Sequence, residues 1–401
     1  MDFNRQQRNV LNNAYYHIHG SSNQVYQFAG KAGTGKTEVL KEIIRESNIP
    51  LSRIAIMTYI GQAAIVLRTR GLYSAKTIHS TMYERIERPR IGLDGKPVIN
   101  PIYNVPEVDV TFVPRDLSDI DLIIIDEART TPLSMKFDIE KTNKKIIACG
   151  DWRQLPPVKD EPAYIRDEDI NNIDLLTEIV RQRKGSAILQ IADLVSEGLP
   201  LSAGYYGDAI VVERKDLTDD MIRYSNIIVC GTNRTREYYN NYVRHNILGI
   251  HSRLPLLGEK LICRKNNWHT EVAGISLANG LIGTVINKLD PSQFDGKTFD
   301  IDFKPDLLDA YFGGLKCDYE YFTAPYDQRN FLKSSKYSRG EKFEYAYAIT
   351  SHLAQGAQYP VGIYIQDMFP DRQLQKNLDY TGATRFSKQL IFVIPNRKSF
   401  F

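Results

Sequence analysis

Ten residues near the N-terminus, Phe28 to Thr37, combine glycines, a lysine and a hydroxyl group in the pattern G-x-x-x-x-G-K-T. An apolar run precedes this segment and a helix-permissive run follows it, as in a phosphate-binding loop between a strand and a helix. Such a loop turns successive backbone N–H groups toward a triphosphate, while Lys36 reaches the β- and γ-phosphates and the Thr37 hydroxyl binds Mg²⁺. The other loop residues predicted to contact the nucleotide are Gly30, Ala32, Gly33, Thr34 and Gly35. The sequence therefore predicts a nucleoside triphosphate site.

Two acidic residues, Asp126 and Glu127, directly follow the apolar run 122–125. Asp126 is suited to hold Mg²⁺ through its water shell, and Glu127 is suited to orient or deprotonate an attacking water. After an intact phosphate loop, this pair predicts hydrolysis rather than binding alone. Gln154 follows a further apolar run and precedes two prolines, and we interpret it as a sensor of the γ-phosphate.

The elements that must position these residues alternate between apolar strands and helical patterns, which indicates parallel α/β architecture. In such folds the ligands bind at the carboxyl ends of the strands. Thr58, Gly61 and Gln62 in these loops are therefore candidates for contacting a second ligand. Thr77 and His79 are further candidates for contacting DNA, with a capping or core role as the alternative for His79. Residues 84–113 interrupt the alternation with an Asp-Gly turn between short alternating segments, which predicts a β-hairpin. A second α/β unit begins near residue 171, and residues 258–345 carry short strands typical of a small β-barrel.

The composition narrows the class of protein. At 401 residues the chain is long enough for two or three domains, and 42% hydrophobic with 25% charged residues is typical of a soluble globular protein. A formal net charge of +3 means that nucleic-acid binding would need a local basic groove. The four cysteines form no C-x-x-C pair, so neither zinc nor disulfides are expected. No apolar run reaches the length of a membrane span, and we expect no membrane association.

The order of the motifs resembles superfamily 1 helicases, specifically the RecD-like and Dda-like (1B) branch, over nearly the whole chain. The segment Gly150-Asp151-x-x-Gln154-Leu155-Pro156-Pro157-Val158 is similar to motif III of this branch. The resemblance implies that Gln7 reads adenine and that Arg181 and Arg385 are arginine fingers contacting the γ-phosphate. Lys36, Asp126, Glu127 and Gln154 complete the implied catalytic set. The motif V segment adds three residues that contact DNA: Thr350, His352 and Gln355.

The resemblance also implies an architecture of two RecA-like P-loop domains. The first would span residues 1–170, with the hairpin at 84–113 as an inserted pin. The second would comprise residues 171–257 and 346–401, with an SH3-like β-barrel inserted at 258–345.

The activity implied by the resemblance is ATP-dependent movement along single-stranded DNA, with separation of duplex DNA. ATP and Mg²⁺ would be bound between the two domains, so that hydrolysis is coupled to closure of the cleft. The polarity would be 5′ to 3′, and the hairpin tip, Ile91 to Lys96, would act as a wedge. We further expect a monomer in the cytoplasm of a bacterial or phage-infected cell. It would act in DNA replication, recombination or repair, with single-strand-binding protein or replisome components as partners.

Three alternatives stay open at this stage. The first is an RNA helicase of the same superfamily. The second is a P-loop ATPase that remodels protein–DNA complexes without processive unwinding. The third is a nucleic-acid-binding module without turnover. The chain also departs from its relatives, because Gln62 and Leu353 occupy positions where they usually have lysine, and Arg129 replaces the commoner serine after motif II.

Overall fold

The computed structural model describes residues 2–99, 108–180, 185–289, 294–334 and 340–396. The predicted arginine finger Arg181 lies outside these ranges. Within them, every helix is too short or too polar to cross a lipid bilayer.

The first domain is a parallel α/β unit. Its six-stranded sheet has the order β3-β2-β6-β7-β1-β8, and every neighbouring pair in it is parallel. In chain order, the helices and strands are α1 (Arg5–His19), β1 (Val25–Gly30), α2 (Lys36–Glu46), β2 (Ile54–Thr58), α3 (Gly61–Thr69), β3 (Lys76–Thr77), α4 (Ile78–Met82), β4 (Tyr83–Pro89), β5 (Val108–Pro114), β6 (Leu122–Ile125), α5 (Lys136–Glu140), β7 (Lys145–Gly150) and β8 (Asp174–Leu176).

Burial explains why the central strands are continuous apolar runs. All four residues of β6 are fully buried, because helices cover both faces of a parallel sheet. The edge strand β8 pairs with β1, with Phe28 opposite Asp174. The first domain therefore extends beyond the predicted boundary at residue 170, since the strand that completes its sheet follows that residue.

The hairpin insertion is confirmed for the described residues. Strands β4 and β5 pair antiparallel in one register from Tyr83–Pro114 to Pro89–Val108. Nearer the tip, Ile91 bridges Pro97 around the predicted turn, in which Gly95 has a φ of 75°. Part of the predicted hairpin, residues 100–107, lies outside the described residues.

The second half of the chain contains another α/β unit and an all-β insertion. Its elements are α6 (Ala187–Glu197), β9 (Gly204–Tyr205), β10 (Ala209–Glu213), α7 (Asp219–Tyr224), β11 (Ile227–Cys230), α8 (Asn233–Tyr242), β12 (Lys260–Cys263), β13 (Asn267–Val272), β14 (Ile275–Leu277), β15 (Ile282–Val285), β16 (Thr298–Pro305), β17 (Phe312–Asp318), α9 (Tyr319–Thr323), α10 (Tyr326–Ser334), β18 (Phe343–Tyr345), β19 (Ala348–Thr350), β20 (Tyr359–Ile365), α11 (Arg372–Ala383) and β21 (Phe386–Ile394).

Two sheets organise these elements. The order β19-β11-β20-β21-β10-β9 is parallel except for the edge pair β9–β10, so the prediction of two α/β domains is confirmed. The insertion forms an antiparallel sheet, β17-β16-β15-β12-β18, over its own apolar core, with the separate hairpin β13–β14 beside it. Closure of this sheet into an SH3-like barrel stays a prediction.

Candidate nucleotide site and strand channel

The phosphate loop joins β1 to α2 in the predicted conformation. Gly33 and Gly35 both have a φ of 82°, in the left-handed region that glycine adopts without strain. A Cβ atom on Gly30 would lie 2.6 Å from the Thr34 Oγ1 atom, so that position also excludes a side chain. Helix α2 begins at Lys36, which directs its N-terminal N–H groups at the loop.

Lys36 is held at the floor of this loop. Its Nζ atom donates to the Gly30 carbonyl at 2.5 Å and lies 4.0 Å from the Oδ2 atom of Asp151. A cavity of about 400 Å³ opens in front of it. Both domains line this cavity, the first through the phosphate loop, Asp126, Glu127 and Gln154, and the second through Thr384 and Arg385. The structure therefore brings the predicted hydrolytic residues together.

The two acids after β6 lie in different environments. Asp126 is 8% exposed, and one of its oxygens accepts a hydrogen bond from the Cys149 thiol at 3.0 Å. Glu127 has a φ of 51°, a left-handed conformation that few residues other than glycine adopt. Burial, and then the charge of Asp126, raise the pKa of Glu127, while Lys36 and Arg385 oppose that shift. A carboxylate with a raised pKa is a better proton acceptor, which suits a general base.

Gln154 reaches the same cavity from the loop after β7. Its side chain is 3% exposed, and its Oε1 atom has no hydrogen-bond partner among the described residues. A buried amide oxygen without a partner is costly unless a ligand or water satisfies it. This observation fits a group that meets the nucleotide or the attacking water.

The predicted nucleotide residues at the rim have protein partners. Gln7 accepts from the Asn4 N–H and donates to the Thr34 carbonyl at 3.0 Å, so it caps α1 against the phosphate loop. Its role in reading adenine stays a prediction. Arg385 is 5% exposed and donates to the Thr381 carbonyl at 2.9 Å. Val180, directly before Arg181, donates its N–H to the Gly33 carbonyl at 3.0 Å.

Sequence reasoning missed the contacts that join the second domain to the phosphate loop. The Tyr380 hydroxyl accepts from the Ala32 N–H and donates to Asp151, each at 2.8 Å. Asp193 accepts from Lys31 and from Arg153, each at 2.7 Å. The sequence gives only an indirect signal for these contacts: Lys31, Ala32, Asp151 and Arg153 lie inside the phosphate loop and the motif III segment. Asp193 lies in no recognised motif.

A third missed residue crosses the mouth of the cavity. Arg70, at the end of α3, donates to the Thr37 hydroxyl at 3.2 Å and to the Gln358 side chain at 2.6 Å. It therefore connects the phosphate loop to the second domain.

The unusual Arg129 after motif II has a structural role. It is 2% exposed and donates to the carbonyls of Gln154 and Ile165 at 3.0 and 2.8 Å, with an ion pair to Asp167. It thereby fixes the loop that carries Gln154, which the shorter serine could not reach.

A second cavity, of about 310 Å³, lies between the two domains and the insertion. The predicted DNA-contacting residues that line it are Gly61, Thr77, His79, His352 and Gln355. The Gln355 amide donates to the Leu155 carbonyl at 2.8 Å, so this residue links the channel to the motif III loop. A smaller cavity of about 240 Å³ lies on the side of the hairpin and shares Gly61, Thr77 and His79 with it. We call the two cavities together the strand channel.

Three predicted DNA contacts are corrected by the structure. Thr58, Gln62 and Thr350 are 0%, 4% and 6% exposed and line neither of the two cavities, so their side chains lie behind the channel wall. The reason is the position of each residue: Thr58 and Thr350 end buried strands, and Gln62 lies in the first turn of a helix that packs on the sheet. They support the wall without presenting a polar group to a strand.

Comparison with known proteins agrees with this arrangement. Residues 2–214 match the family described as AAA domain, and residues 345–393 match the UvrD-like helicase C-terminal domain. An uncharacterized protein of Methanocaldococcus jannaschii is 22% identical over 93% of this chain. The chain spans only 37% of the length of that relative.

Solved structures of Pif1 helicases share the fold. A Pif1 helicase chain from a structure of two coordinating Pif1 helicases at forked duplex DNA matches this chain with a TM-score of 0.55 and 16% identity. Bacteroides Pif1 bound to single-stranded DNA has a TM-score of 0.52, and Candida albicans Pif1 has 0.51, each at 16% identity. Each comparison covers 99% of this chain and 95% of the other. With more than half of its residues matched, the chain belongs to the AAA domain family, and its C-terminal segment matches the UvrD-like helicase C-terminal domain.

Proposed function

We propose that this protein is an ATP-dependent DNA helicase that moves 5′ to 3′ along single-stranded DNA and separates duplex DNA. The observation that carries the proposal is the nucleotide cavity itself. One domain supplies Lys36 and Glu127 to it, the other supplies Arg385, and the strand channel is lined by the same two domains. A change in the cleft must therefore move the two walls of the channel relative to each other.

The chemistry follows from the charges around the cavity. Lys36 and Arg385 would neutralise charge that develops on the transferred phosphoryl group, and Arg385 can do so only when the second domain is in place. Glu127 would accept the proton of the attacking water, and Gln154 would orient that water or the γ-phosphate. Thr37 and Asp126 provide the hydroxyl and carboxylate that suit Mg²⁺, which would supply further neutralisation of the phosphates.

The link from hydrolysis to movement runs through the motif III loop. The Leu155 N–H donates to the Thr381 hydroxyl, and its carbonyl accepts from the Gln355 amide. Leu155 follows Gln154, so a change at the γ-phosphate position is transmitted directly to a residue that lines the strand channel. Related Pif1 helicases bind single-stranded DNA and act at forked duplex DNA, which supports DNA as the ligand.

The decisive experiment is strand displacement on duplexes that carry either a 5′ or a 3′ single-stranded tail, with and without ATP. The proposal expects ATP-dependent displacement of the 5′-tailed duplex, together with ATP hydrolysis stimulated by single-stranded DNA. ATP hydrolysis at one rate with or without DNA would leave only a nucleotide-hydrolysing protein. Stimulation without displacement would favour a remodelling ATPase, and preference for RNA tails would favour an RNA helicase.

The same proposal includes a monomer that acts in the cytoplasm of a bacterial or phage-infected cell. Its partners would be single-strand-binding protein or replisome components. The hairpin provides a separate test, since removal of the tip residues 91–96 should abolish duplex separation while DNA-stimulated hydrolysis persists.

A further inference from the structure

Four aromatic side chains of the first domain form a continuous row. The ring centroids of Tyr59 and His79 are 5.7 Å apart, those of His79 and Tyr83 are 6.1 Å apart, and those of Tyr83 and Phe112 are 6.4 Å apart. The row begins in the loop after β2 and ends on β5, at the base of the hairpin. The rings are inclined to one another by 43°, 41° and 74°, so they are not stacked face to face.

This aromatic row runs through both cavities of the strand channel. Tyr59 and His79 line the larger cavity, whereas His79, Tyr83 and Phe112 line the smaller one. His79 therefore lies where the two cavities meet. Phe112 is 44% exposed, although it is a large apolar side chain on a strand.

Positive charge accompanies the second half of the aromatic row. The smaller cavity is lined by Arg68, Lys76 and Arg115, against Glu271 as its acidic residue. The guanidinium groups are fixed in place, because Arg68 donates to the Ala75 carbonyl and Arg115 donates to the Tyr83 carbonyl. Aromatic faces beside fixed cations are the combination that binds the bases and the phosphates of a single strand.

The β13–β14 hairpin of the second domain's insertion covers this cavity. Two nitrogens of Arg68 donate to the carbonyls of Ala273 and Gly274 in its turn, each at 3.1 Å. A ligand on the aromatic row would therefore be enclosed between a floor from the first domain and a roof from the second.

We propose that the aromatic row is a base-binding site, on which successive bases of a single strand lie between the motif-bearing channel and the base of the hairpin. This inference rests on the proposed function and extends it to residues outside the helicase motifs: Tyr59, Tyr83 and Phe112. The ring spacings are nearly twice the rise of about 3.4 Å per nucleotide in B-DNA. A stretched strand would thus place about one base over each ring.

The competing explanation is that the rings only anchor the hairpin to the domain. Tyr83 does have an anchoring contact, because its hydroxyl donates to Asp138 at 2.6 Å. Substitution of Tyr83 by phenylalanine removes this hydroxyl contact and keeps the ring, so the two roles can be tested separately. Phe112 is the better test, because its exposure makes a fold defect on truncation small.

The experiment uses fluorescence anisotropy to measure the affinity of four proteins for a fluorescent oligothymidine. The proteins are wild type, Phe112→Ala, Tyr83→Phe and Tyr73→Ala. Tyr73 is a matched control, an aromatic side chain of the first domain that is 79% exposed and outside the row. Base–aromatic stacking of about 1–3 kcal/mol predicts a loss of about 5- to 150-fold for Phe112→Ala. Tyr83→Phe keeps the ring and removes only the hydroxyl contact with Asp138, so it should lose much less affinity than Phe112→Ala. Tyr73→Ala should bind like wild type. Binding of a fluorescent nucleotide checks that each variant is folded.

The same oligonucleotide with abasic sites isolates the role of the bases. Wild type should lose affinity for it, and that loss should be smaller for Phe112→Ala, which has one ring fewer to bind a base. If wild type binds strands tightly and Phe112→Ala retains that affinity and base preference, the aromatic row only anchors the hairpin. If wild type binds no single strand at all, the proposed function fails, which is a different result.

Discussion

The contact of Tyr380 with the phosphate loop yields the sharpest test of coupling between the domains. Tyr380 is 1% exposed, and its hydroxyl lies between the Ala32 N–H and the Asp151 carboxylate, at 2.8 Å from each. Tyr380→Phe keeps the ring and removes only this oxygen. The Ala32 N–H then has no acceptor among the described residues, and Asp151 loses one of its donors.

The magnitude follows from the two lost bonds. A buried polar group left without its partner costs about 1–3 kcal/mol, and bonds to charged groups lie at the upper end. Asp151 keeps the Arg153 N–H at 3.1 Å, which reduces the cost on that side. We therefore expect closure to weaken by about 2–4 kcal/mol in total, which corresponds to about 30- to 800-fold in the closed-to-open ratio.

The assay compares Tyr380→Phe with Tyr364→Phe. Tyr364 is equally buried and its hydroxyl donates to Asp379 at 2.8 Å, but both residues belong to the second domain. Both variants should lose some thermal stability. Only Tyr380→Phe should lower DNA-stimulated hydrolysis and the nucleotide-dependent energy transfer between fluorophores on the two domains. Equal hydrolysis and equal energy transfer in the two variants would refute the coupling role of Tyr380.

Three further predictions concern the same cleft. Glu127→Gln should stop turnover yet raise the midpoint of thermal unfolding at pH 8. Burial raises the pKa of Glu127, so the folded state is more stable when this carboxyl is protonated. That contribution to the free energy of unfolding is lost as the pH rises through the raised pKa, whereas the neutral glutamine keeps it. An unchanged midpoint would contradict this explanation. Asp193→Asn weakens the partly exposed ion pairs with Lys31 and Arg153 and should lower nucleotide affinity about 3- to 10-fold. In wild type, about 0.5 M salt should screen the same ion pairs and lower the affinity by a similar factor. Arg129→Ala should destabilise the first domain by about 2–4 kcal/mol in urea unfolding, because two buried carbonyls lose their donor, whereas Arg129→Lys should recover only part of that loss.

The sequence by itself determined the nucleotide chemistry. Lys36 and Thr37 lie in a loop whose conformation depends on glycines within ten residues, and Asp126 and Glu127 are adjacent at one strand end. Such sites are local, because the residues that shape them are neighbours in the chain. The alternation of strands and helices was likewise readable, since buried parallel strands must be apolar throughout.

Only the tertiary structure decided how the domains meet and which residues face the channel. Tyr380 contacts a residue 348 positions earlier, and Asp193 contacts Lys31 across 162 positions. Thr58 and His79 both follow the pattern of strand-end loop residues, yet one is fully buried and the other lines the strand channel. Burial and long-range pairing depend on how separate elements pack in space, and no local spacing of residue types carries that information.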